Sequence, residues 1–454
     1  MSEWLKPALT YVQSWLEFQV RQADLPGLQL AVREQGDLVA ARAYGKPAAS
    51  ASEALTNEHV FRVASHSKTF TAAAIMKLLD GGRLRLDDRA DAHVEGLHPA
   101  IGAATLRQLL SHTAGVVRDG DDAAYWQLRC PFLNVSALGD ALKAPPVIEA
   151  NTRLKYSNHG FGLLGLVIER VTGESYDTWV AREIVGAAGL TRTWPDVPPA
   201  SERLARGHGI RALTGTRMEN PLDAPTGALA AATGFSSTAT ELTKFFWQLA
   251  PESPNAWLSK AARREMTRRH WRVPDQSAER YYGLGTIQGG EGDWGWFGHS
   301  GSFPGCFSHT VALPKLGITF SLIVNSVEVS PLTLAEGVIA ILRAYRDGGA
   351  PTDVTAAWAG RWWTKWAVFD LVPMRSKVIV ASPALANPVL DAIELTAFDG
   401  DVARISKAGG FLSYGETARL KRDANGAVTE LRLGAGRWLP EAALKAEAGD
   451  HGPA

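Results

Sequence analysis

Leu28, Leu30 and Val32 place apolar side chains at every second position, the period of a strand with one buried face. Polar Gln35-Gly36-Asp37 interrupts the run and a second strand-like run follows. The stretch GLQLAVREQGDLVAARAYG therefore predicts a hairpin. The segment before it, MSEWLKPALTYVQSWLEFQVRQ, predicts an amphipathic helix. From Ser65 the period changes: Phe70, Ala73, Met76 and Leu79 recur at helical spacing, and Gly81-Gly82 closes the segment as a C-cap does.

The middle of the chain reads as helical and loop-rich, clearest in TLRQLLSHTAGV and GLLGLVIERVTGESYDTWVAREIVGAAGL, where Gly173 separates two helices. Strand signals return in YYGLGTIQ and in FSHTVALPKLGITFSLIVNS, a hairpin turning over Pro314–Gly317. PLTLAEGVIAILRAYRDGG predicts the helix that follows. Strands and a helix at each end flank a helical middle. This predicts an α+β domain over 1–350, with one sheet assembled from distant segments. RDGGAPTD (Arg346–Asp353) reads as a linker. Beyond it, KVIVAS, AIELTAF, VARISK, TARLKRD and VTELRLG are short alternating runs between turn residues. They predict a small all-β barrel or sandwich over 351–454.

Composition narrows the classes of function. The chain of 454 residues is 46% hydrophobic and 21% charged with zero net charge, so bulk charge gives no argument for nucleic acid or an anionic membrane. Two cysteines, Cys130 and Cys306, make no disulfide framework. The first residues lack the basic start and apolar run of a signal peptide, and no run is long enough to span a bilayer. The expectation is a soluble cytoplasmic protein; the sequence leaves its oligomeric state open.

Candidate chemistry begins in FRVASHSKTF. On a helix Ser65 and Lys68, three apart, share a face, whereas Ser67 points about 100° away from its neighbour Lys68. Ser65 would sit at the helix start, where free N–H groups favour a developing anion. Lys68 can take its proton only if burial or nearby positive charge lowers the lysine pKa. Alone, the pair is better described as an N-cap serine beside a surface lysine. LKYSNHGFG adds Tyr156, able to relay a proton, and Asn158, an amide donor and acceptor; alone, a core aromatic and a turn asparagine describe them better. WFGHSGSFPG adds His299, Ser300 and Gly301, where a strand glycine admits close backbone approach.

In this order and separation the three stretches resemble the motifs of the serine β-lactamase and penicillin-binding-protein superfamily: S-x-x-K (Ser65, Lys68), Y-x-N (Tyr156, Asn158) and a third motif, here His299-Ser300-Gly301. LLSHTAGV and ATGFSSTATELTKF are similar too, and the likeness spans about residues 8–345, closest to the class C and esterase branch. It implies a β-lactamase-like domain, an antiparallel sheet flanked by helices with a helical subdomain, followed by a lipocalin-like all-β domain. It implies catalytic roles for Ser65 as acylated nucleophile and for Lys68 and Tyr156 in proton transfer. Asn158, His299, Gly301 and Ser302 would bind substrate, with the N–H groups of Ser65 and Ser302 forming an oxyanion hole. No cofactor or metal is needed. Histidine stands where the family often has a third-motif lysine associated with substrate carboxylates, and the H-x-G form resembles esterases, D-amino-acid peptidases and amidases, and thioesterases. The expected activity is hydrolysis of small amides or peptides, with D-configured residues among them, or of esters. Acyl transfer, a β-lactamase and a non-catalytic binding protein rank behind it.

Three other patterns are set aside. GHSGS resembles a hydrolase elbow, but FPG follows where a helix should begin. GFGLLG lacks the preceding strand of a dinucleotide site and is read as close helix packing. The histidines form no zinc motif; His112 and His66 are read as structural.

Overall fold

The computed structural model describes residues 1–211, 215–254, 257–410 and 412–449. The chain divides into two compact units, Leu25–Leu332 and a unit joining Met1–Asp24 to Thr333–Ala454. The expected α+β fold is present in the first and an all-β sheet in the second.

The first unit is built on an antiparallel sheet of eight strands: β1 (Gly27–Glu34), β2 (Asp37–Gly45), β3 (Trp271–Arg272), β4 (Arg280–Tyr282), β5 (Ile287–Gly289), β6 (Trp296–Phe303), β7 (Cys306–Leu313) and β8 (Ile318–Val324). Their order is β2-β1-β8-β7-β6-β5-β4-β3. The hairpin β1–β2 turns on Gln35 and Gly36, both at positive φ (52° and 94°), the paired left-handed geometry of a tight two-residue loop. β1 pairs with β8 from Leu28↔Val324 to Glu34↔Ile318, which joins segments nearly 300 residues apart into one sheet. β5 reaches only Trp296–Gly298 of β6, so β6 is unpaired with β5 over His299–Phe303.

The helix Ser67–Asp80 lies in the core of this unit. Its side chains are buried on nearly every face, which is why its sequence reads as an apolar run more than a one-sided stripe. Phe70 stacks between Phe235 and Phe245 with ring centroids at 4.1 and 3.8 Å. The helix Asn158–Thr172 ends on Gly173 at φ 78°. In it, a Cβ on Gly162 would lie 2.7 Å from Leu138 and one on Gly165 2.9 Å from Ala231, so close packing explains the GFGLLG glycines.

In the second unit, eight strands from Gly360–Trp363 to Gly436–Trp438 pair in sequence order, each antiparallel to the next. One bridge between Trp363 and Leu439 links the first strand to the end of the last, leaving a nearly closed barrel-like sheet. The N-terminal helix Leu5–Gln22 belongs to this unit. Trp15 Nε1 donates to the Leu385 carbonyl (3.3 Å) and Gln19 Nε2 to that of Pro383 (2.6 Å). The segment expected as a linker is helical to Gly348, and a further helix, Glu441–Gly449, follows the barrel strands. Among the described residues no helix is long and apolar enough to cross a membrane.

Candidate active site

Ser65 lies in a single 3₁₀ turn, Ala64–His66, that runs into the helix beginning at Ser67. Ala64 adopts φ 46°, an uncommon conformation for a residue with a side chain. Hydrogen bonds hold the turn from three sides. Ser67 Oγ donates to the Ala64 carbonyl (2.5 Å) and accepts from the Phe235 N–H (2.9 Å), so Ser67 is consumed by structure. His66 reaches the Val63 carbonyl through Nδ1 (3.1 Å) and Thr310 Oγ1 through Nε2 (2.9 Å), away from Ser65.

One helical turn on, fully buried Lys68 brings Nζ to 3.2 Å from Ser65 Oγ, 2.7 Å from Asn158 Oδ1 and 2.8 Å from the Ala232 carbonyl. Asn158 Oδ1 and the carbonyl can only accept, so they take two N–H bonds. The third direction faces a hydroxyl, which can donate to a lone pair. A neutral amine fits this set. Burial holds the Lys68 pKa well below the ordinary lysine value, opposed by the charge of Asp119 and aided by Arg118.

Tyr156 stands beside them, its ring centroid 4.6 Å from Lys68 Nζ and 4.1 Å from the His112 ring. Burial pushes its phenol pKa up, while a hydrogen bond with Ser65 pulls it down. His112 Nδ1 accepts the Ser157 N–H at 3.1 Å, tying this histidine to the Tyr156 segment. Both ends of the Asn158 amide are engaged within the site: Oδ1 accepts from Lys68, and Nδ2 donates to Asp119 Oδ1 at 2.6 Å.

The third stretch arrives on β6. His299 is 1% exposed, and both its ring nitrogens are engaged, Nδ1 with the Ser300 carbonyl (2.7 Å) and Nε2 with the Tyr282 hydroxyl (3.0 Å). Burial holds its pKa well below the ordinary value, with His66 adding to the effect, so the ring is neutral. Gly301 is required by the fold itself: a Cβ there would lie 2.0 Å from the Val63 carbonyl and 2.6 Å from Ser308 Oγ. Ser300 sits mid-strand opposite His309, and β6 continues through Phe303 into the turn to β7, so GHSGS is strand and hairpin. Ser302 is exposed on the same strand.

Ser65, Tyr156, Asn158, His299, Gly301 and Ser302 all border one cleft of about 670 Å³. Trp126, Ile287, Phe303 and Leu332 give it apolar walls. Its charged lining residues are Arg118 and Asp119, whose Nε and Oδ2 lie 3.1 Å apart. Among the described residues no group of three or more His, Cys, Asp or Glu side chains is placed to hold a metal.

The family model for Beta-lactamase matches residues 12–342. The chain belongs to the Beta-lactamase family. Among curated proteins, "Protein flp" of Staphylococcus aureus is 27% identical over 192 residues, 40% of this chain. The match spans only 37% of that protein's length. Among solved structures, the octameric penicillin-binding protein homologue from Pyrococcus abyssi is similar in fold, with TM-score 0.65, 22% identity and coverage of 95% of this chain and all of that one. SurE is 26% identical with TM-score 0.62 over 96% of this chain and 99% of its own, and it has also been solved with D-Leu, at 25% identity and TM-score 0.60.

Three contributors to this β-lactamase-family site escaped the sequence reading: Asp119 in the cleft wall, and Tyr282 and the Ala232 carbonyl, which bond His299 and Lys68. Asp119 follows LLSHTAGV by three residues and Tyr282 is the second residue of YYGLG, both stretches noted for other reasons. Neither stretch carries a spacing that marks a single polar side chain.

Proposed function

We propose that this protein is a serine hydrolase that forms an acyl-enzyme at Ser65 and acts on small amides or peptides, D-configured residues among them. The observation that carries the proposal is the contact set of Lys68: two obligate acceptors and the Ser65 hydroxyl around a buried amine. Burial lowers the pKa of this amine, which suits it to act as a base toward Ser65.

Lys68 Nζ takes the Ser65 proton as Oγ attacks the carbonyl carbon and the carbonyl π pair moves onto oxygen. The N–H groups of Ser65 and Ser302 are assigned to that oxyanion, usually a large electrostatic contribution. Tyr156, whose raised pKa keeps its phenol protonated, donates to the departing nitrogen as the C–N bond breaks. Its proton is replaced from Lys68. Water then adds to the ester, giving up its proton along the same route, and Ser65 Oγ leaves with a proton.

The neutral, fully engaged His299 supplies no cation for a carboxylate, which argues against an efficient β-lactamase. The likeness to SurE, solved with D-Leu, supports a D-configured acyl group. The unpaired cysteines Cys130 and Cys306 support a cytoplasmic setting.

The test is intact mass after incubation with D-amino-acid amides, short-chain esters and a penicillin, for wild type and Ser65→Ala. A Ser65-dependent mass gain or turnover is expected with the amides. Turnover of esters alone would replace the amidase with a carboxylesterase. Neither adduct nor product from any reagent would remove the catalytic reading.

A further inference from the structure

We propose that Asp119 is a positioning residue of this site: it fixes the orientation of the Asn158 amide and stabilises the charge that forms on Lys68 when Ser65 gives up its proton. The inference rests on the Ser65–Lys68 chemistry proposed above.

An asparagine amide rotated by 180° exchanges an acceptor for a donor. Asn158 must offer its oxygen to Lys68, because an NH₂ group there would face another donor at 2.7 Å. Nothing in the asparagine itself selects that orientation. A carboxylate opposite Nδ2 does, because it can only accept, and Asp119 Oδ1 lies 2.6 Å from Nδ2. Asp119 is in turn held firmly. Trp126 Nε1 donates to the same Oδ1 at 3.2 Å, Arg118 Nε lies 3.1 Å from Oδ2, and Tyr125 OH donates to the Asp119 carbonyl at 3.1 Å.

The backbone repeats the connection. The Asn158 N–H donates to the Arg118 carbonyl (2.9 Å) and Ser157 Oγ to the Val117 carbonyl (2.6 Å). Two segments 39 residues apart are thus joined by main chain and side chain together. The Asp119 side chain is 12% exposed, so its charge acts across a largely dry path. The titratable and charged groups facing Lys68 are Asp119, Arg118, Tyr156, His112 and His299; Asp119 is the anion among them. It therefore favours the ammonium that Lys68 becomes during acylation, a contribution realised in the transition state.

The experiment compares kcat, KM and the pH profile of wild type, D119N, N158A and the double variant on whichever reagent gives Ser65-dependent turnover. D140N, at an exposed surface pair, serves as a control. D119N is expected to lower kcat about tenfold or more with KM changed less than about threefold. Its acidic limb moves to lower pH by about half a unit or more, because removing the anion lowers the lysine pKa further. In the N158A background D119N should cost much less than in wild type, since the two act as one unit. A kcat within about twofold of wild type, an unmoved acidic limb, or additive losses would each overturn the proposal. If D119N does not fold, D119E carries the test. It keeps the charge and displaces the carboxylate, so kcat falls while the limb stays, and an unchanged kcat overturns the proposal. Wild-type turnover that survives Ser65→Ala would instead defeat the catalytic reading and leave the Asn158 orientation to be tested by its amide NMR signals in D119N.

Discussion

Tyr282 and His299 share a hydrogen bond of 3.0 Å whose direction is fixed. His299 Nδ1 must donate to the Ser300 carbonyl, and the ring is neutral, so Nε2 is bare and the tyrosine donates. Tyr282→Phe removes that donor and leaves a buried acceptor, at a cost of about 1–3 kcal/mol. The expected outcome is a loss of stability of that size and a changed ¹⁵N signature at His299. Imidazole nitrogen shifts in both proteins check it. A second tautomer already present in wild type would refute the assignment.

The rate should climb with pH along a limb set by Lys68. Its amine must be unprotonated to accept from Ser65, and burial lowers its pKa, so the limb lies well below the ordinary lysine value. The phenol of Tyr156 is shifted up, so no alkaline loss follows near neutrality. Stopped assays of kcat/KM from pH 5 to 10 read this directly. Lys68→Arg, which cannot give up its proton, should abolish turnover across that range.

Acid should unfold this protein earlier than its neutral net charge suggests. His66 and His309 are buried with pKa values lowered to about 3, against about 6.5 in an unfolded chain. Between those values the unfolded chain binds more protons. Stability is complete above about pH 6.5 and is lost as pH falls toward 3. Urea midpoints at pH 7.5 and 5 measure the difference, and equal midpoints would contradict it.

Gly301→Ala should destabilise the fold and silence the site together. The new methyl meets the Val63 carbonyl, two residues before Ser65, and one side must move. Overpacking of this kind costs about 1–3 kcal/mol or more. Calorimetry and Ser65 labelling on the same sample test the coupling. A stable, fully labelled variant would show that the Val63 turn yields freely.

Ser65–Lys68 was legible because the two sit three apart and helix periodicity converts that spacing into facing. Tyr156 and Asn158, ahead of and at the start of the helix Asn158–Thr172, were legible only through the likeness of Y-x-N to a family motif. The hairpin at Gln35-Gly36 was legible through its turn residues. Asp119 and Tyr282 were not, because their partners lie 39 and 17 residues away, and a loop brings Asp119 to Asn158 while the sheet brings Tyr282 to His299. Helix Leu5–Gln22 looked like the opening of the first domain. Its hydrogen bonds with residues 383 and 385 depend on contacts some 370 residues away, beyond any local pattern. Gly301 has a second, structural reason to be glycine that no local pattern shows: a Cβ there would meet the Val63 carbonyl.

The length of β6 that β5 leaves unpaired has a consequence for inhibitor chemistry. A bare strand offers alternating main-chain donors and acceptors at a fixed pitch, and it responds to the backbone of its guest more than to the side chains. A peptide laid along His299–Phe303 and its depsipeptide twin, with one amide N–H exchanged for oxygen, differ by a single rung of that ladder. Walking the exchange along the inhibitor one position at a time would map which rungs are used, and a contiguous, alternating pattern of lost affinity would be the signature of a ninth strand.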